Sequence, residues 1–125
     1  MKQFLLVFVG GGFGSMLRYG VNKAVSAQHD SSFPWGTFVA NVVGGFLIGV
    51  ILTYIEQEKG LSREWTLLLA TGFCGGFTTF SSFAYENNML VKSGDYATFF
   101  LYTSLSIIVG FMATFGGIML MNKAS

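Results

Sequence analysis

The chain has 125 residues, room for one domain, 1–125. Apolar residues make up 52% and charged residues 10%, which fits a membrane protein and excludes an ordinary soluble domain. Seven Lys and Arg against six Asp and Glu leave no basic surface for nucleic acid. The lone Cys74 cannot form an intrachain disulfide, no Cys/His cluster suggests zinc, and His29 is a solvated loop residue.

Four apolar stretches are each long enough to cross a ~30 Å hydrocarbon core at ~20 residues per helix. They are residues 3–25, 33–55, 65–85 and 96–122. The first lacks a small-x-small cleavage site and runs on through glycines to Arg18, so it is not a signal peptide. The short connections leave no material for a domain outside the membrane.

In the first stretch Gly10 and Gly14, and Gly11 and Ser15, stand four apart, a spacing that lets helix backbones approach closely in lipid. The run is not a dinucleotide loop, because Ser15 replaces the third glycine and no βαβ context follows. Arg18 lies one turn beyond Gly14. It can snorkel as an anchor or draw anions into a vestibule.

A polar loop, 26–32, leads to Pro34, which suits a helix start, and Trp35, which suits the interface. Gly36, Ala40 and Gly44 form one small-residue stripe, and Asn41, Gly45 and Gly49 the next. Asn41 is the only strongly polar residue between Pro34 and Thr53, and an intramembrane amide must find partners. It either bonds a neighbouring helix or faces a polar path.

After a charged hinge, 56–64, Ser62 is placed to cap the third helix. That helix meets G-F-C-G-G-F-T-T-F-S-S-F at 72–83. Each of the glycines costs about 1 kcal/mol in a helix interior, and Thr78 and Thr79 are β-branched. The helix is expected to break here and free carbonyls at membrane depth. Phe80 and Phe83 then share a face, with Ser81, Ser82 and Glu86 following. In the fourth stretch Tyr102, Ser106, Gly110 and Thr114 keep a four-residue spacing, a polar stripe interrupted at Gly110.

Four helices put both termini on one side. Lys2, Lys59, Arg63 and Lys123 lie there, against Lys23 and Lys92 (and Arg18) on the other. So weak a bias permits insertion both ways up, hence an antiparallel homodimer. The neutral donors suit an anion, because hydroxyls and amides present hydrogens and aromatic edges are partly positive. Freed carbonyls suit a hard cation such as Na⁺. A proton-coupled multidrug exporter would want a mid-membrane acid that helices one, two and four lack. A purely structural subunit would not need the broken helix.

The G-x-C-G-G-x-T-T-F-S-S-F motif, with G-G-x-G-x-x-x-R at 11–18 and G-T-x-x-x-N at 36–41, resembles the Fluc (CrcB) family of bacterial fluoride channels over essentially the whole chain. The resemblance implies an all-α membrane protein of four transmembrane helices with a break in the third, assembled as an antiparallel, dual-topology homodimer. It implies two pores, passive F⁻ export across the bacterial cytoplasmic membrane, no enzymatic activity, and a structural Na⁺ at the dimer centre. The Na⁺ would be held by the backbone carbonyls of Gly75 and Thr78. The anion path would comprise Asn41, Thr79, Phe80, Ser81, Ser82, Phe83, Glu86, Tyr102, Ser106 and Thr114, with Arg18 at the vestibule. Ser82 stands where threonine is common, which keeps the hydroxyl. Gly110 stands where some members have serine, so one rung of the track is missing.

Overall fold

The computed structural model describes residues 1–28, 31–58 and 61–124; His29 and Lys59, weighed above, lie outside them. Among the described residues every regular element is helical. Four segments are long and apolar enough to cross a membrane: Lys2–Gln28, Trp35–Gln57, Arg63–Ser93 and Tyr96–Ala124. The chain is a multi-pass membrane protein.

The first helix, α1 (Lys2–Gln28), has 27 residues, about 40 Å at ~1.5 Å per residue. Phe33 and Pro34 lead into α2 (Trp35–Gln57). The Phe33 ring packs 4.5 Å from Trp35, 5.5 Å from Phe38 and 5.3 Å from Tyr102, tying the start of α2 to the last helix.

The third span is the least regular. A short α3 (Arg63–Trp65) passes into a π-helical stretch, Thr66–Cys74, and then into a single turn, α4 (Gly75–Phe77). Ser62 has the extended backbone of a cap, but its side chain makes no capping bond, unlike the sequence expectation. Thr78 (φ −91°, ψ 160°) and Thr79 (φ −152°, ψ 120°) are extended and interrupt the helix where the motif places the break. The chain re-enters helix in α5 (Phe80–Ser93), which runs on past the apolar stretch that ends at Tyr85 and includes Glu86. Gly94 stops it with φ 84°, a left-handed conformation glycine adopts without steric cost. Its N–H donates to the Leu90 and Val91 carbonyls. The last helix, α6, is Tyr96–Ala124.

Packing explains the glycines. A Cβ on Gly14 would run into the Phe73 carbonyl, and one on Gly76 into the Gly11 carbonyl. The backbones of α1 and the third span therefore touch directly, the close approach that small residues allow in lipid. In α2, Gly44 faces Thr78 and Phe77 at the break, whereas Gly49 faces the α6 backbone at Thr114. These two α2 glycines thus serve different neighbours. Helix α2 lies between the broken span and α6, and the break sits against its centre.

Candidate functional site

Two polar side chains from other helices hold the break. Asn41 of α2 clamps Thr79 on both sides of its backbone. Its Nδ2 donates to the Thr79 carbonyl at 3.1 Å, and its Oδ1 accepts the Thr79 N–H at 2.8 Å. The amide thus does for an isolated extended residue what a neighbouring strand would do. Arg18 of α1 donates from Nε to the Gly76 carbonyl at 3.0 Å. Both contacts answer the requirement that backbone polar groups at membrane depth be satisfied within the protein.

Two carbonyls near the break lose their helical donors. In a continuous helix the Thr79 N–H would bond the Gly75 carbonyl, but it goes to Asn41. The Ser82 N–H would bond the Thr78 carbonyl, but it goes to Thr79 Oγ1 at 3.1 Å. The Thr78 hydroxyl turns back to the Cys74 carbonyl at 2.9 Å, so its hydrogen is already used within the span. Gly75 and Thr78 therefore fit a hard cation such as Na⁺, which carbonyl oxygens would hold.

Beyond the break α5 begins within the span, with Thr79 capping the Ser82 N–H and the positive end of the helix dipole at its first turn. Phe80 is 78% exposed, and its ring lies 6.0 Å from that of Phe83 at 43°. Phe83 in turn lies 5.1 Å from Tyr102. The Ser81 hydroxyl is exposed and lies 3.3 Å from Thr79 Oγ1, while Ser82 is half-buried. A groove of about 410 Å³ runs past Asn41, Thr79, Phe80, Phe83 and Ser106.

The α6 stripe divides by where each hydroxyl hydrogen goes. Tyr102 is fully buried and donates to Glu86 Oε1 at 2.7 Å. Thr37 of α2 donates to the other oxygen, Oε2, also at 2.7 Å. Glu86 is thus the shared acceptor of two helices. The Thr114 hydroxyl lies 2.9 Å from the Gly45 carbonyl and 3.2 Å from that of Gly110, its own helix one turn back. Ser106 is different: its Oγ is buried and has no protein partner, alone in this among the described residues. At Gly110 an added Cβ would meet nothing within 4 Å, so the gap in the stripe is open space.

Asn41, Thr79, Phe80, Phe83 and Ser106 converge on the groove. Tyr102 and Glu86 form a linked pair beside it, and Thr114 lies at the α2–α6 contact. Arg18 is at the α1–break contact. Thr37 was absent from the sequence-derived set. Its signals were its place in the G-T-x-x-x-N motif and its position one turn before Asn41 on the same α2 face, and a threonine there reads equally well as packing.

The sequence matches the family described as CrcB-like protein, Camphor Resistance (CrcB), over residues 5–118. It is 46% identical over 123 residues to a Fluoride-specific ion channel FluC of Gloeothece citriformis, covering 98% of this chain and 99% of the relative. It is 44% identical over 118 residues to the FluC of Phocaeicola vulgatus, covering 94% and 97%. A third FluC, from Flavobacterium psychrophilum, is 41% identical over 123 residues, covering 98% and 99%. These relatives carry the name of an ion channel and not of an enzyme. With the broken third span, the match along nearly its whole length and identities above 40%, the chain belongs to the CrcB (Fluc) family.

Proposed function

We propose that the protein is a fluoride-selective channel giving passive F⁻ export across the bacterial cytoplasmic membrane. The observation that carries this reading is the buried Ser106 hydroxyl without a protein partner, set in the groove beside Asn41 and the first turn of α5. A buried donor left unpaired costs about 1–3 kcal/mol unless a ligand or water takes its hydrogen. An anion does so. The same groove offers the second amide hydrogen of Asn41, since only one is used on Thr79. The positive end of α5 and the edges of Phe80 and Phe83 add to it. F⁻ is small and strongly hydrated, so it needs several such donors in place of its water. The names of the relatives support fluoride as the ion.

In this reading Asn41, Thr79, Phe80, Ser81, Ser82, Phe83 and Ser106 line the path. Glu86 takes the hydrogens of Tyr102 and Thr37 and so fixes both side chains against the path. Thr114 frames it, and Arg18 both steadies the break and draws anions toward a vestibule. Two antiparallel copies form the working unit, with two pores. A structural Na⁺ held by the carbonyls of Gly75 and Thr78 from each copy would cross-link the two breaks and make the midplane positive.

Anion efflux from liposomes loaded with F⁻ or Cl⁻ tests the activity. The expected result is rapid F⁻ efflux with little Cl⁻ efflux. Strong Cl⁻ flux without F⁻ flux would overturn the proposal.

A further inference from the structure

The residues that lead into α2 lie along the outer end of the α6 stripe. Thr98, Tyr102 and Ser106 stand four apart on that helix and share a face. The Ser32 hydroxyl donates to Asp95 Oδ2 at 2.8 Å and lies 3.4 Å from Thr98 Oγ1. The next residue, Phe33, sets its ring 5.3 Å from that of Tyr102, one turn further along. The Phe33 carbonyl takes the Trp35 N–H at 2.8 Å, and its ring packs on Trp35 and Phe38. Phe33 is thus fixed from two sides, to α6 through Ser32 and to α2 through its own carbonyl and ring. It lies outside the G-T-x-x-x-N motif and outside the residues assigned to the path.

Tyr102 depends on such a neighbour. It is fully buried, and its hydroxyl donates to Glu86 Oε1 at 2.7 Å. That hydroxyl sits at the far end of the ring, so a modest swing of the side chain would carry it out of hydrogen-bond range. Two rings meet the Tyr102 ring. Phe83 lies 5.1 Å away at 55°, and Phe33 lies 5.3 Å away at 75°, the edge-to-face arrangement that aromatic pairs favour. Phe83 is backed by Phe80, which is 78% exposed. Phe33 is backed by Trp35 and Phe38 of α2, so it is the firmer of the two supports.

We propose that Phe33 is a positioning residue for the anion path. Its ring holds Tyr102 in place, keeping the phenol hydrogen on Glu86 and water away from it. The effect on flux rests on the channel reading; the hold on Tyr102 does not.

Two measurements on the full-length protein test this. The first is exchange of the Tyr102 hydroxyl, read from ¹³Cζ-labelled tyrosine in mixed H₂O and D₂O, with the Tyr102 line identified by its loss in Tyr102→Phe. Phe33→Ala should speed that exchange about 10-fold, the upper end of what one edge-to-face contact is worth. Phe33→Leu, which keeps most of the bulk, should restore slow exchange. The second is F⁻ efflux in a double-mutant cycle. Phe33→Ala should slow efflux by up to about 10-fold in the parent. In Tyr102→Phe, which keeps the ring and removes the hydroxyl, the same change should move efflux by less than about twofold. Phe33→Val gives the same test with a smaller truncation if Phe33→Ala does not fold. Unchanged hydroxyl exchange in the folded variant would overturn the proposal. So would equal losses of efflux with and without the Tyr102 hydroxyl, which would make Phe33 a packing residue only. Absence of F⁻ efflux from the parent would defeat the channel reading, and the exchange measurement would still decide whether Phe33 holds Tyr102.

Discussion

Tyr102, Ser106 and Thr114 occupy one α6 face, yet each hydroxyl hydrogen ends in a different place: on Glu86, on no protein atom, and on the Gly45 and Gly110 carbonyls. The effect of removing each should follow that division. A hydrogen bond to a charged group is worth about 1.5–3 kcal/mol, so Ser106→Ala should slow F⁻ efflux roughly 10- to 100-fold, with Ser106→Thr retaining most of it. Thr114→Val should leave flux within about twofold and lower stability by about 0.6 kcal/mol, the average for such bonds between membrane helices. Efflux rates and detergent melts check both; equal losses in flux would refute the division. Asn41 has two tasks, and its variants separate them. Asn41→Asp keeps an acceptor for the Thr79 N–H but sets a negative charge in the groove, so F⁻ flux should nearly vanish while the protein still folds. Unchanged flux would remove Asn41 from the path. Thr78→Ala loses the bond to the Cys74 carbonyl and the methyl packed at Gly44 but keeps the backbone carbonyl, so any Na⁺ dependence of folding or flux should persist.

At the scale of elements, the contact of α1 with the third span rests on bare backbone. Gly14→Val pushes methyl groups into the Phe73 carbonyl, and overpacking of that kind costs about 1–3 kcal/mol or more. Gly12, two residues away, has nothing within 4 Å of an added Cβ. Gly12→Ala should therefore gain about 0.5–1 kcal/mol through helix propensity. Thermal melts of the two should move in opposite directions; a shared direction would mean that the backbone contact is not what holds these helices. The connection between α5 and α6 carries a pH-sensitive tie. Hydrogen bonds from the Ser32 and Thr98 hydroxyls and from the Thr98 N–H hold Asp95 below the usual carboxylate range. Because the folded value is depressed, the stabilisation is complete above the ordinary Asp range and is lost as pH falls through the folded value. Asp95→Asn should thus be less stable than the parent at neutral pH, and the gap should close in acid.

As a whole, one copy has a thin core. Ala40, Ala70, Cys74, Phe77, Leu90 and Tyr102 are its buried apolar residues, while Phe4, Phe8 and Met16 of α1 and Phe100, Phe111 and Phe115 of α6 are exposed. In a bilayer those faces meet lipid or a second copy. The antiparallel dimer can be tested by labelling a single cysteine added at a terminus, because the native Cys74 is only 1% exposed. Labelling from both sides of sealed membranes is expected, and one-sided labelling would exclude dual topology. The salt bridge of Lys2 with Glu64 at 3.1 Å joins two exposed side chains, and pairs of that kind contribute about 0–1 kcal/mol. It does not explain orientation.

The sequence by itself determined the four spans, the place of the break and the family. Hydropathy and backbone propensity are local quantities, and Gly75, Gly76, Thr78 and Thr79 carry the signal for the break in their own chemistry. It also named most residues that meet at the groove. It did not disclose the π-helical stretch Thr66–Cys74, whose residues up to Ala70 read as ordinary helix. Nor did it disclose that Asn41 clamps Thr79, that Arg18 reaches Gly76, or that Thr37 joins Tyr102 on Glu86. Asn41 and Thr79 are 38 residues apart, Arg18 and Gly76 are 58, and Thr37 and Glu86 are 49. A hydroxyl or amide written in a sequence specifies what it can donate or accept. Which partner takes the hydrogen depends on distances of about 3 Å between helices, and only their packing set those.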